Sequence, residues 1–152
     1  MMKQAASASG TWAEHASETL AGAGYRRGGA RQAVVDLLGR QPCALSAAEI
    51  EDALSDSERA VARASVYRVL DELEGLRLVQ RLEVGQGILR YEALHPGGHH
   101  HHHHLVCDAC GEIIPFADDE LERVIHRVAD RVAFDVADHE IVLHGTCRAC
   151  RS

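Results

Sequence analysis

The chain has 152 residues, 46% of them hydrophobic but with only two Phe and one Trp, which is enough for one ordinary domain or two small ones with cores of Ala, Val, Leu and Ile. No apolar run approaches the roughly 20 residues of a membrane span, and residues 1–10 carry one Lys and no apolar stretch, so the sequence is expected to be cytoplasmic, without a signal peptide or anchor. The net charge of −7 argues against a nonspecific nucleic-acid coat, but it is uneven: residues 1–95 hold 11 Lys/Arg against 13 Asp/Glu, and residues 96–152 hold 5 against 10. The front is therefore the better candidate for meeting phosphate, and the acidic back for holding cations.

Residues 1–11 read as a disordered tail. From Thr11, a plausible cap, Trp12, Ala16 and Leu20 recur at helical spacing until Gly22 and Gly24. A second helix starts near Gly28-Gly29, with Ala30, Val34, Leu37 and Leu38 as its apolar stripe, and is expected to stop at Gly39 and Pro42. Ser46-Ala47-Ala48-Glu49 has the capping-box pattern and opens a short helix with Ile50, Ala53 and Leu54 inward, followed by a polar turn at Asp56-Ser57-Glu58. The next helix is predicted over 63–74, with Val66, Val69, Leu70 and Leu73 on one face and Gly75 at its end. Segments 78–82 and 88–94 read as strands joined by a turn at Val84-Gly85-Gln86-Gly87. Helices followed by a hairpin make a winged helix-turn-helix pattern.

Pro96-Gly97-Gly98 is the strongest break and a natural hinge. Six His follow, then expected strands near 105–106 and 112–116. A helix is predicted from Asp118 with Leu121, Val124, Ile125 and Val128 as its stripe, and a last strand over 136–144 leads into Cys147.

Cys107-Asp108-Ala109-Cys110 and Cys147-Arg148-Ala149-Cys150 are two C-x-x-C hooks, which together can close a tetrahedral thiolate site suited to structural zinc. A redox pair or an iron–sulfur cluster are the other readings; the redox reading lacks its βαβ context. In an extended His99–His104 run, His101 and His103 would face one way and His102 and His104 the other, so one strand could feed two metal sites. The plainer reading is a solvated polar run in a hinge, and imidazole alone does not choose among zinc, iron, nickel and copper.

The segment from His101 to Gly111 resembles the Fur family of metalloregulators. So do Arg63-Ala64-Ser65-Val66-Tyr67-Arg68-Val69-Leu70, which looks like the family's recognition helix, and Leu45-Ser46-Ala47-Ala48-Glu49-Ile50, which looks like the preceding helix. The resemblance covers about residues 24–150. It implies an α+β protein: a winged helix-turn-helix DNA-binding domain (1–94), a hinge (95–100), and a C-terminal α/β dimerisation and metal-binding domain (101–152).

It further implies a homodimer that binds an inverted-repeat operator in double-stranded DNA and represses metal-uptake genes, with structural Zn2+ and a regulatory divalent metal, Zn2+ or Fe2+. By position, Cys107, Cys110, Cys147 and Cys150 match the structural zinc ligands. His101, His103, Glu122 and His139 match a site inside the dimerisation domain. Glu92, His102 and His104 match a hinge sensing site, for which Cys43 stands where the family often has a His. Tyr67 and Arg68 lie off the apolar stripe of the recognition helix, where base and backbone contacts are made; Ser65, Arg26, Arg27 and Arg31 complete the expected DNA-binding set.

Three departures leave the metal open: Pro115 and Gln80 stand where some relatives place acidic ligands, and the longer linker lets His95 or His100 replace a named ligand; His126, one turn beyond Glu122, could also join or replace a ligand of that site. Two rival classes remain at this stage. A zinc-dependent hydrolase would need a catalytic constellation such as His-Glu-x-x-His, which is lacking, and a metal buffer would use the His run as a sink.

Overall fold

The computed structural model describes residues 11–56, 60–85, 87–96 and 102–151. The expected tail over 1–10, Ser57 and Glu58 of the polar turn, Gln86 of the hairpin turn, hinge residues Gly97–His100 and the candidate ligand His101 lie outside them. The chain divides into two compact units, residues 1–83 with 87–98, and residues 84–86 with 99–152.

The first unit is built of four helices and a small sheet. Helix α1 (Trp12–Gly22) is opened by a complete capping box: Thr11 accepts from the Glu14 amide, and Glu14 accepts from the Thr11 amide. Its stripe Trp12, Ala16 and Leu20 is buried. The Trp12 indole donates to the Leu78 carbonyl at 3.0 Å, and that carbonyl also accepts from the Leu94 amide. Helix α2 (Gly29–Arg40) runs through Gly39 instead of stopping there. A Cβ on Gly39 would lie 3.2 Å from the Ala13 Cβ, so this glycine serves the close approach of α1 to α2.

Strand β1 (Leu45–Ser46), which the sequence pattern did not announce, precedes helix α3 (Ala47–Ser55). The Ser46–Glu49 capping box predicted for α3 is present in both directions. Helix α4 (Arg63–Gly75) buries Val66, Val69, Leu70 and Leu73, as its periodicity predicts. Strands β2 (Val79–Glu83) and β3 (Leu89–Ala93) form the expected antiparallel hairpin, and β1 adds to the other edge of β3, giving the order β1-β3-β2. Three helices and a hairpin around one apolar core make a winged helix-turn-helix, with α4 as the second helix of the motif.

The second unit contains strands β4 (His103–Cys107) and β5 (Ile113–Phe116), helix α5 (Asp119–Arg131) and strand β6 (Val142–Gly145). Strand β4 is central, antiparallel to β5 and parallel to β6. Asp118 caps α5 by accepting from the amides of Glu120 and Leu121. The predicted strand over 136–144 is corrected: only its C-terminal part pairs. Upstream, the Asp138 side chain accepts from the His139 amide at 2.8 Å, a local bond that competes with a ladder, and the segment first meets β4 where the His104 amide donates to the Ile141 carbonyl. His139 therefore sits in a loop and not in a strand.

The two units differ in how they are held. The first has an extended cluster of buried apolar side chains, from Trp12 to Tyr91. Among the described residues 102–151, the buried apolar side chains are Val106, Cys107 and Ala129 alone.

Truncating Trp12, which is 4% exposed, removes both core volume and the indole donor. Trp12→Ala is expected to destabilise the first unit by about 3–5 kcal/mol, read by circular dichroism in a denaturant titration.

Candidate metal centres and nucleic-acid interface

The two C-x-x-C hooks close on each other. Cys107 ends β4 and Cys147 follows β6, and the sulfurs of Cys107, Cys110, Cys147 and Cys150 all lie within 4.8 Å of one another. Backbone bonds shape each hook. The Gly111 amide, at a φ of +77° that favours glycine, donates to the Cys107 carbonyl at 2.8 Å. The amides of Cys150 and Arg151 both donate to the Cys147 carbonyl. The Asp108 amide donates to the Gly145 carbonyl at 2.8 Å and ties the two hooks together.

The electrostatics are those of a cation site. The Cys147 amide, the main cause, and the Cys110 amide donate to the Cys107 sulfur and lower its pKa to about 6. Cys150 faces the sulfurs of Cys147 and Cys110, which push its thiol up to about 12, and the Cys147 thiol is also raised. Four sulfurs this close cannot all ionise without a cation between them. Four thiolates at mutual contact are the donor set that tetrahedral zinc takes, and they fit a structural zinc.

A second cluster lies within the same unit. His103, fully buried on β4, and His139, in the loop before β6, converge on Glu122 of α5. One carboxylate oxygen meets His103 Nε2 at 2.7 Å and the other meets His139 Nε2 at 2.8 Å. The His103 ring packs against Phe116 and His139, with centroids 5.5 and 5.3 Å away. These three residues match the predicted dimerisation-domain set; its fourth member, His101, lies outside the described residues. His126, weighed as a replacement ligand, is exposed on α5 and outside the cluster.

The predicted alternation along the His run is visible from His102 onward. The His102 and His104 rings meet edge to face, 4.9 Å apart, while His103 turns to Glu122. In the first unit, Cys43 and Glu92 come together, with the sulfur and a carboxylate oxygen within 4.8 Å. Glu92 is 6% exposed and accepts from Gln80 Nε2 at 2.9 Å.

The candidate DNA face is on the first unit. Tyr67 is 49% exposed and Arg68 is exposed beside it, opposite the buried stripe of α4, with Ser65 half-buried one turn earlier. Arg26 and Arg27 are exposed before α2. Arg31 is placed differently from its neighbours. Its Nε and Nη2 donate to the two oxygens of Glu72 at 2.7 and 3.0 Å, its Nη1 donates to the Arg26 carbonyl, and its guanidinium lies 5.1 Å from the Tyr25 ring centroid. The bond to Glu72 also raises its pKa. Arg31 thus ties α2 to α4 and fixes the backbone that carries Arg26. The sequence gives no sign of this because the partner lies 41 residues away. Arg63, not among the expected DNA contacts, is exposed at the start of α4 and pairs with Glu51 at 2.7 Å.

These arrangements have known counterparts. The profile of the ferric uptake regulator family matches residues 22–144. The zinc uptake regulation protein of Mycobacterium tuberculosis is 35% identical over 135 residues, covering 88% of this chain and all of that protein. The ferric uptake regulation protein of Bacillus subtilis is 31% identical over 106 residues, covering 70% and 71%. Among solved structures, the Helicobacter pylori ferric uptake regulator, described as having three functional metal-binding sites, superposes with a TM-score of 0.81 at 28% identity over 93% of this chain and 92% of that one. The Vibrio cholerae ferric uptake regulator gives 0.76 at 30% identity over 86% and 98%.

The chain belongs to the ferric uptake regulator family. It is a metal-responsive, DNA-binding transcription regulator and not an enzyme. No helix among its described residues is long and apolar enough to cross a membrane.

Because the metal-free cluster holds thiols of raised pKa, Cys147 and Cys150 among them, loading it with zinc at pH 7 is expected to release protons. Lowering the pH reverses the exchange and ejects the metal. Proton release in weakly buffered solution, read alongside elemental analysis, checks this, and Cys147→Ser is expected to lose the zinc equivalent.

Proposed function

We propose that this regulator is a metal-dependent repressor of metal-uptake genes that acts as a homodimer on an inverted-repeat operator, with zinc as its effector and Fe2+ as the competing reading. Its working parts are a DNA-binding domain (1–94), a hinge (95–100) and a dimerisation and metal-binding domain (101–152). The observation that carries this reading is the division of labour among the histidines at the start of β4 and just before it. His103 is committed to Glu122 and His139, while His102 and His104 pair separately, and the four-cysteine clasp closes the end of the same strand.

In this reading Cys107, Cys110, Cys147 and Cys150 hold a zinc that never leaves in normal operation. His103, Glu122 and His139, with His101, hold a second metal within the dimerisation domain. That metal would take the place of the direct contacts between the imidazoles and the carboxylate. Cys43 and Glu92 from the DNA-binding domain, with His102 and His104 from the dimerisation domain, hold the effector. Bound there, the metal links the two domains across the hinge and sets the positions of the two recognition helices in the dimer. It can shift that equilibrium only by binding the linked form more tightly than the open one.

The Cys43 sulfur favours zinc on grounds of ligand softness, and the Mycobacterium tuberculosis relative is named for zinc uptake. Val124, Val128, Val132 and Phe134, together with Leu105, Ile114 and Leu143 on the sheet, form apolar surface that a second copy would cover. Tyr67, Arg68 and Ser65 would enter the major groove, Arg26 and Arg27 would meet phosphate, and Arg31 would hold Arg26 in place. Phosphate contacts would make binding fall steeply with salt.

The test uses DNA selected by the protein from a genomic library. Protein retaining only its four-cysteine zinc is titrated with that DNA, before and after adding zinc, Fe2+ or Mn2+ separately. Tight binding is expected only with the effector metal, and Cys43→Ser should raise the zinc concentration required by about tenfold or more. Equal DNA affinity in the stripped and loaded protein would refute the switch.

A further inference from the structure

The effector reading above names Cys43 and Glu92 as the DNA-binding domain's share of the ligands. Glu92 is a buried carboxylate on β3, and such a group stays ionised only if something stabilises it. Directly across the ladder, in register on β2, stands Gln80, whose Nε2 donates to Glu92 Oε2 at 2.9 Å. A carboxylate offers several lone-pair positions; this bond occupies one and restrains the carboxylate, an oxygen of which lies within 4.8 Å of the Cys43 sulfur.

The chemistry of the donor matters as much as its position. A lysine or arginine at position 80 would neutralise the carboxylate and compete with any cation. An aspartate or glutamate could not donate and would set a second carboxylate against the first. An amide does neither: it orients the ligand without changing the charge. With Gln80 neutral, the DNA-binding domain supplies two anionic ligands, the Cys43 thiolate and the Glu92 carboxylate. Two neutral imidazoles then complete a set whose charge balances one divalent cation, which suits a site taken out of water.

We infer that Gln80 is a positioning residue of the effector site: it orients Glu92 toward Cys43 and keeps the charge of the ligand set matched to a divalent metal. Groups that orient a metal ligand typically contribute 10- to 100-fold to metal affinity.

The inference rests on the proposed effector site, so the experiment separates the two. Dimeric protein retaining its four-cysteine zinc is titrated with Co2+, and the thiolate-to-cobalt charge-transfer band reports coordination by Cys43. Wild type, Cys43→Ser, Glu92→Gln, Gln80→Met and the Gln80→Met/Glu92→Gln double variant are compared. Gln80→Met should keep the charge-transfer band, alter the d–d bands, and bind Co2+ about tenfold or more weakly. In the Glu92→Gln background the same change should add no further loss, because a residue acting through Glu92 has nothing left to orient. Wild-type affinity in Gln80→Met, or an equal loss with and without the Glu92 carboxylate, would overturn the role of Gln80 while leaving the effector site standing. A wild-type protein with no Cys43-dependent charge-transfer band would overturn both.

Discussion

Four sulfurs within 4.8 Å of one another are the constraint on which the second unit depends. Its buried apolar side chains, among the described residues, are too few to hold three strands and a helix in one arrangement. The thiolate clasp joins the end of β4 to the turn beyond β6, and so fixes the parallel register in which His104 lies opposite Val142. Once β4 is fixed, its pleat does the rest. A strand sends successive side chains to opposite faces, and a run of histidines on such a strand divides into two sets. The clasp, suited to a structural zinc, determines where the imidazoles point.

The first unit follows a different logic. A continuous apolar core holds it, and its polar interactions are long-range ties at the margins of that core. Arg31 joins α2 to α4 through Glu72, and Arg90 on β3 donates to Glu49 at 2.7 Å and to the Ala44 carbonyl at 3.4 Å, next to Cys43. Both ties stiffen segments that carry residues of the proposed sites: the Arg26 loop in one case and the Cys43 loop in the other. A DNA reader whose helix must be presented at a fixed angle gains from such rigidity.

Much of this was legible in the sequence. The helix spacing gave the buried stripes of α1 and α4 residue by residue, and that of α2 except that Val35 is buried where Ala30 was expected. A capping box at Ser46–Glu49 and a capping Thr11 marked helix starts, and the paired C-x-x-C hooks marked the clasp. Each of those signals is local, or has a spacing that chemistry makes specific. What escaped depends on register and distance. The two-residue strand β1 exists only because Leu45 and Ser46 meet Tyr91 and Arg90. The partner of Arg31 lies on another helix, and Gln80 was legible as a departure from an acidic residue but not as a donor to Glu92. The stretch before β6 looked apolar enough to be a strand, yet the Asp138 side chain takes the His139 amide and holds that part as a loop.

The ordering of dependence, clasp first and histidines second, is open to a direct measurement. Amide hydrogen exchange can be followed residue by residue in protein carrying only the four-cysteine zinc, and again after that zinc is removed by a chelator under reducing conditions. The account predicts strong protection across 103–107 and 142–145 with the zinc in place and its collapse on removal, while the buried helices of the first unit remain protected. Retained protection of those two strands without zinc would mean that the second unit holds its own shape, and would contradict the account at its base.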